Sequence, residues 1–87
     1  MNKLKTLLPF RQYSKNRWET LFDTYSLAIE YESNKYFAYH ETSKHTRAIG
    51  VYYSLQEAQE ACTKWVIELT INLINNLKNK LYPYIDV

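Results

Sequence analysis

The stretch Ser54-Leu55-Gln56-Glu57 constrains the fold of this chain more than any other. It reads as a capping box: the serine hydroxyl can accept from the amide of Glu57, and the glutamate can reach back to the amide of Ser54. A helix therefore starts here. Nothing interrupts it before Pro83, which also disfavours helix at Tyr82, so the expected helix runs to about Leu81. At about 1.5 Å per residue it is about 40 Å long, roughly twice the length of an ordinary strand. Its second half must overhang whatever sheet it covers.

At about 100° per residue, Ala58, Cys62, Trp65, Val66, Leu69, Leu73 and Leu77 form one continuous stripe, the expected core side of the helix. Ile67, Ile71 and Ile74 form a second apolar stripe on the opposite side, confined to the overhanging half, and Glu68, Asn72, Asn75 and Asn79 line a flank between the two. A second apolar stripe on a small domain demands a cover. Two covers are available: an intramolecular one, with Leu4, Leu7, Leu8 and Phe10 folded back onto Ile67, Ile71 and Ile74, or the same helix of a second copy.

The helix needs a sheet, and residues 25–53 supply it. Tyr25–Glu32, Tyr36–Thr42 and Arg47–Tyr53 are rich in β-branched and aromatic residues and are separated by polar clusters, which reads as an antiparallel meander. Alternation gives an expected core face of Leu27, Ile29, Phe37, Tyr39, Ile49 and Val51. The matching register pairs Phe37 with Val51, Tyr39 with Ile49 and Glu41 with Arg47, the last a favourable cross-strand charge pair. Tyr36, Ala38, His40, Ala48, Gly50 and Tyr52 are then expected on the outer face. Residues 1–24 are less defined. Leu4, Leu7 and Leu8 read as a short helical turn stopped by Pro9, whereas Trp18 to Tyr25 satisfies both the helical and the strand period. The expected fold is α+β: a three- or four-stranded antiparallel β-meander packed on one long C-terminal α-helix (residues 54–82), with a short N-terminal helical segment, all in one domain.

Size and composition narrow the functions. An 87-residue chain buries only about 60 to 65% of its unfolded surface, and the fourteen aromatic residues, nine of them tyrosine, supply large buried areas from few positions. Eleven basic residues against nine acidic ones give a net charge of +2, so any attraction to nucleic acid or acidic lipid has to be local. The single cysteine, Cys62, has no partner for a disulfide and falls on the core stripe, which fits a reducing, cytoplasmic setting. The opening MNKLKTLLPF lacks the apolar run of a secretory signal, and no stretch approaches a membrane span. An interfacial helix anchored by Trp65, Tyr82 and Tyr84 is disfavoured, because its polar flank is asparagine rather than basic.

One motif invites a catalytic reading. His40 to His45 reads HETSKH, but a helical zinc pair needs histidines four apart, and five apart turns the second ring roughly 140° away. The segment also reads as strand and turn, with no third ligand at a recognised spacing. With one glycine, no P-loop, nucleophile elbow or dinucleotide fingerprint can form. No catalytic, cofactor-binding or metal residues are assigned, and the chain is not expected to be an enzyme. The expectation is a binding protein: homodimeric through Ile67, Ile71 and Ile74, and meeting a protein partner on the sheet face of Tyr36, Ala38, His40 and Tyr52. The alternative is a single-stranded nucleic-acid binder, stacking bases on that tyrosine face with Lys35, Lys44 and Arg47 at its edges. Small size, the absence of catalytic motifs and a bias toward Asn, Lys, Ile and Tyr look like phage or mobile-element accessory proteins, some of which inhibit host enzymes by direct binding.

Overall fold

A computed structural model describes residues 7–81. Five strands precede one helix: β1 (Arg11–Ser14), β2 (Arg17–Phe22), β3 (Tyr25–Glu32), β4 (Lys35–Glu41), β5 (Thr46–Tyr52) and α1 (Leu55–Leu81). The sheet is a simple meander, β1-β2-β3-β4-β5, antiparallel throughout. The fold is thus α+β, with two strands more than the clearest part of the sequence announces. Trp18 to Phe22 is strand, not helix. Leu7 to Phe10 has no regular structure, so no N-terminal helix is seen among the described residues; Leu4 lies outside them, as do Tyr82, Pro83 and Tyr84.

Three two-residue turns build the meander. At Ser33-Asn34 both residues have positive φ, 53° and 64°, the geometry of the type I′ turn whose twist matches that of the strands. Asp23, φ 55°, opens the turn between β2 and β3. Tyr13 is the extra residue where the β1–β2 register shifts.

The Ser33-Asn34 turn decides which face of the sheet is the core. Its closing pair is Glu32 and Lys35, so every β3–β4 pair joins an even-numbered residue of one strand to an odd-numbered residue of the other, and Ile29 stands opposite Ala38. This corrects the expected face. Leu27 and Ile29 do face the helix, but beside Tyr36, Ala38 and His40; Phe37, Tyr39 and Val51 point away from it. Phe37 pairs with Val51 as the alternation implies, and then a register shift intervenes. Ile49 becomes the extra residue and packs on the core, while Tyr39 pairs with Ala48, His40 with Arg47 and Glu41 with Thr46. The Glu41–Arg47 pair does not form.

Small residues let α1 settle on the sheet. Ala38 pairs with Gly50 on one side of the interface, and Ala58 and Cys62 face them from the helix. Leu27, Ile29, Ala38, Ala58, Cys62 and Val66 form the buried cluster, ringed by Leu8, Phe10, Trp18, Tyr25, Tyr36, Ile49, Tyr52, Leu55 and Trp65. The missing Cβ of Gly50 has a use: one built there would lie 2.4 Å from the Tyr52 hydroxyl, because the Tyr52 ring folds over this position. At the helix start Ser54 Oγ accepts from the Glu57 amide at 3.1 Å, as the capping box requires. The return bond is displaced by one residue, Glu57 Oε2 accepting from the amide of Tyr53 at 3.4 Å.

The N-terminal segment is tied to the first half of α1. The Leu8 amide donates to Thr63 Oγ1 at 3.1 Å, Thr63 Oγ1 donates to the Gln59 carbonyl at 2.8 Å, and Thr20 Oγ1 donates to the Pro9 carbonyl at 3.1 Å. Residues 7–10 thus form a strap that docks at Thr63, and Leu4 of the expected cover lies outside the described residues.

Candidate interaction surfaces

The overhang of α1 exposes a run of large aliphatic side chains. Among the described residues Val66, 3% exposed, is the last buried one of the helix. Beyond it Ile67, Leu69, Ile71, Leu73, Ile74 and Leu77 are 36% to 53% exposed. The expected core stripe therefore stops halfway, and Leu69, Leu73 and Leu77 join the isoleucines on the surface. The reason is length: 27 residues of helix extend about 40 Å, whereas the seven-residue strands of β4 and β5 extend roughly 23 Å. At 100° per residue the six side chains span an arc of roughly 200°, wider than the stripe of a helix covering one sheet. Lys78 and Lys80 lie in the last turn, where they complement the helix dipole. No helix among the described residues is long and apolar enough to cross a membrane.

The face of the sheet away from α1 is charged. Arg17 on β2 gathers three carboxylates there: Glu19, Glu30 at 3.1 Å and Glu41 at 2.7 Å. The Glu19 hydrogen bond, the largest influence, holds the guanidinium charge still more firmly than usual. Nearby, burial and then Glu30, Glu32 and Glu41 push the Tyr39 hydroxyl above its ordinary range. With Arg11 opposite Glu19 and Lys35 opposite Glu32, the register puts three cations and four carboxylates on this face, a slight excess of negative charge.

The proposed tyrosine platform is turned inward. Tyr36 packs on Tyr31 and Trp18, with ring centroids 4.7 Å and 5.9 Å away, and Tyr52 covers Gly50; both rim the core with α1 above them. Ala38 is fully buried. Lys35 is exposed at the far end of β4, opposite Glu32, and Lys44 is exposed in the β4–β5 turn, so the three cations do not frame the tyrosines. The parity of the β3–β4 turn is the signal that could have revealed this.

HETSKH resolves into a pocket. The spacing reading kept His40 and His45 apart, but both line a concavity of about 270 Å3 together with Thr42, Arg47, Trp65 and Leu69. Thr42 closes the turn that makes this possible: its hydroxyl accepts from the His45 amide at 2.9 Å and donates to the His45 carbonyl at 3.1 Å, which also accepts from the Thr42 amide at 2.7 Å. His40 lies against Trp65 with centroids 4.8 Å apart, and Tyr25 meets the Trp65 ring edge-on at 6.0 Å. Among the described residues no three His, Cys, Asp or Glu side chains come together as a metal site. Cys62 is buried, and desolvation pushes its thiol up to about 12, which keeps it protonated and unreactive at neutral pH. A second, wider concavity of about 700 Å3 borders β1 and β2, between Phe10, Tyr13, Glu19 and Leu21.

No family model, curated protein or solved structure matches this chain.

Proposed function

We propose that this chain is a non-enzymatic protein-interaction domain whose α1 overhang is its docking element, with a second copy of the chain as the first occupant. The carrying observation is the run of six exposed aliphatic side chains from Ile67 to Leu77, directly after the last buried residue. Leaving out Leu69, which lines the concavity with His40 and Trp65, the other five expose roughly 500 Å2 per chain, so pairing two overhangs removes at most roughly 1,000 Å2 from water, the lower bound for a specific interface. Burying it is worth roughly 25 cal/mol per Å2 before the cost of association is subtracted. A core of six buried residues gains from such a cover. Its action on any further macromolecule is then occlusion of a surface rather than chemistry. The inward tyrosines take support away from the nucleic-acid alternative.

Molar mass by light scattering tests the reading, with Ile71→Asp as the probe, since Ile71 is half exposed and a charge there leaves the core intact. The expected result is a dimer for the parent and a folded monomer with unchanged circular dichroism for the variant. A parent that stays monomeric at about 100 μM overturns self-association as a functional contact.

A further inference from the structure

The HETSKH pocket has a chemistry of its own, independent of the isoleucine stripe. Its polar rim is basic: Arg47 comes from β5 and His45 from the turn, with His40 deeper on β4. None of its six lining residues is a carboxylate. The acids of the neighbouring strands are engaged elsewhere. Glu41, adjacent in sequence to His40, points to the opposite sheet face, where it binds Arg17 together with Glu19 and Glu30. Among the described residues Arg47 makes no ion pair. The sheet has thus separated its charges, carboxylates around Arg17 on one face and an unneutralised guanidinium beside two imidazoles on the other.

The walls are apolar and flat. Trp65 lies against His40 with the rings tilted by 40°, Tyr25 braces it edge-on, and Leu69 closes the side. Trp65 is partly buried, so its orientation is set by packing, and the turn carrying His45 is held by the Thr42 hydrogen bonds. Such preorganisation lowers the entropic cost of capturing a ligand. A volume of about 270 Å3 lies just below the usual range of small-molecule sites, enough for one ring and a head group.

We infer that this pocket binds an oxyanion, carboxylate or phosphate, carried on a flat apolar group. The oxyanion meets Arg47 and His45, the guanidinium offering paired donors that match either head group. The flat group lies against Trp65, His40 and Leu69. At 100° per residue Trp65 and Leu69 sit on the other side of α1 from Ile67 and Ile71, so the isoleucine side can pair while Trp65 and Leu69 still line the pocket.

Amide and side-chain NMR shifts, followed on the full chain, provide the test, with phenyl phosphate, benzoate, inorganic phosphate and benzyl alcohol as probes. The expected result is saturable shifts at Arg47, His45 and the Trp65 indole with one or both aromatic oxyanions, at Kd below about 1 mM. Inorganic phosphate and benzyl alcohol, each carrying half of the recognised chemistry, bind at least about tenfold more weakly. Arg47→Gln, an exposed and conservative change, weakens binding about tenfold or more. No saturation by about 10 mM, equal binding by Arg47→Gln, or inorganic phosphate binding as tightly as phenyl phosphate overturns the inference.

Discussion

Cys62 offers a direct check on how dry the sheet–helix interface is. Its side chain is fully buried between Ala58, Val66 and the Leu27–Ile29 pair, and burial alone raises the thiol from an ordinary 9 to about 12. A raised pKa means that the folded state holds the proton more tightly than the unfolded state. The resulting stability is fully present below pH 9 and is lost as the pH rises toward 12. From the shift, about 1.4 kcal/mol is lost between pH 8 and pH 10 through this group alone. Tyr39 and Tyr52, both raised mainly by burial, also cost stability as the pH nears 10, so the parent must be compared with Cys62→Ala. At pH 8 the alanine variant is less stable by about 1–2 kcal/mol, the cost of the lost side chain and its small cavity. By pH 10 the gap narrows by about 1.4 kcal/mol, because the variant has no thiol to ionise. Urea titrations monitored by circular dichroism under reducing conditions measure both gaps. If the two stabilities fall in parallel with pH, water reaches Cys62 and the account of the interface is wrong.

Three further substitutions probe the parts that shape the surfaces. Arg17→Met removes the cation that bridges Glu19, Glu30 and Glu41; because these side chains are 32% to 47% exposed, solvent screens the loss to about 1–2 kcal/mol at low salt, and denaturation in about 1 M sodium chloride should show it roughly halved. Thr63→Val keeps the side-chain shape but deprives the Leu8 amide of its acceptor, costing about 1–2 kcal/mol and accelerating hydrogen exchange at Leu8. Ser33→Gly relieves a left-handed serine, φ 53°, in the β3–β4 turn and should raise the urea midpoint by the equivalent of up to about 1 kcal/mol.

The readable parts of this sequence are those whose signals are local. Ser54 and Glu57 announce the helix start because a cap involves groups only three residues apart. The strands from Tyr25 to Tyr52 are legible from β-branched and aromatic content between polar turns. β2 was half legible, since Trp18 to Tyr25 meets both periods, and only pairing with β3 breaks the tie. β1 carries no apolar alternation, and its strand exists because β2 offers an edge to pair with. The candidate site was legible in part. Ile67, Ile71 and Ile74 are 43% to 50% exposed, as the helix length implies, whereas Tyr36 and Tyr52 lie on the helix-facing side of the sheet rather than the outer one. Aromatic residues occur on both faces of β4, so composition could not choose between them.

By itself, then, the sequence determined an antiparallel meander followed by a helix too long for it, and therefore an apolar overhang in search of a cover. Tertiary structure alone decided the rest. A two-residue turn at Ser33-Asn34 sets the parity that sends Tyr36 and Tyr52 inward and the Arg17 carboxylates outward, because a shift of one residue in pairing exchanges the faces of a whole strand. The end of the sheet, not the pattern of the helix, stops burial at Val66. HETSKH, whose spacing argues against a shared site on a helix, becomes one side of a pocket because the Thr42 turn folds His45 back beside His40 and α1 supplies Trp65. Spacing measures distance along one element, and this site is assembled from three.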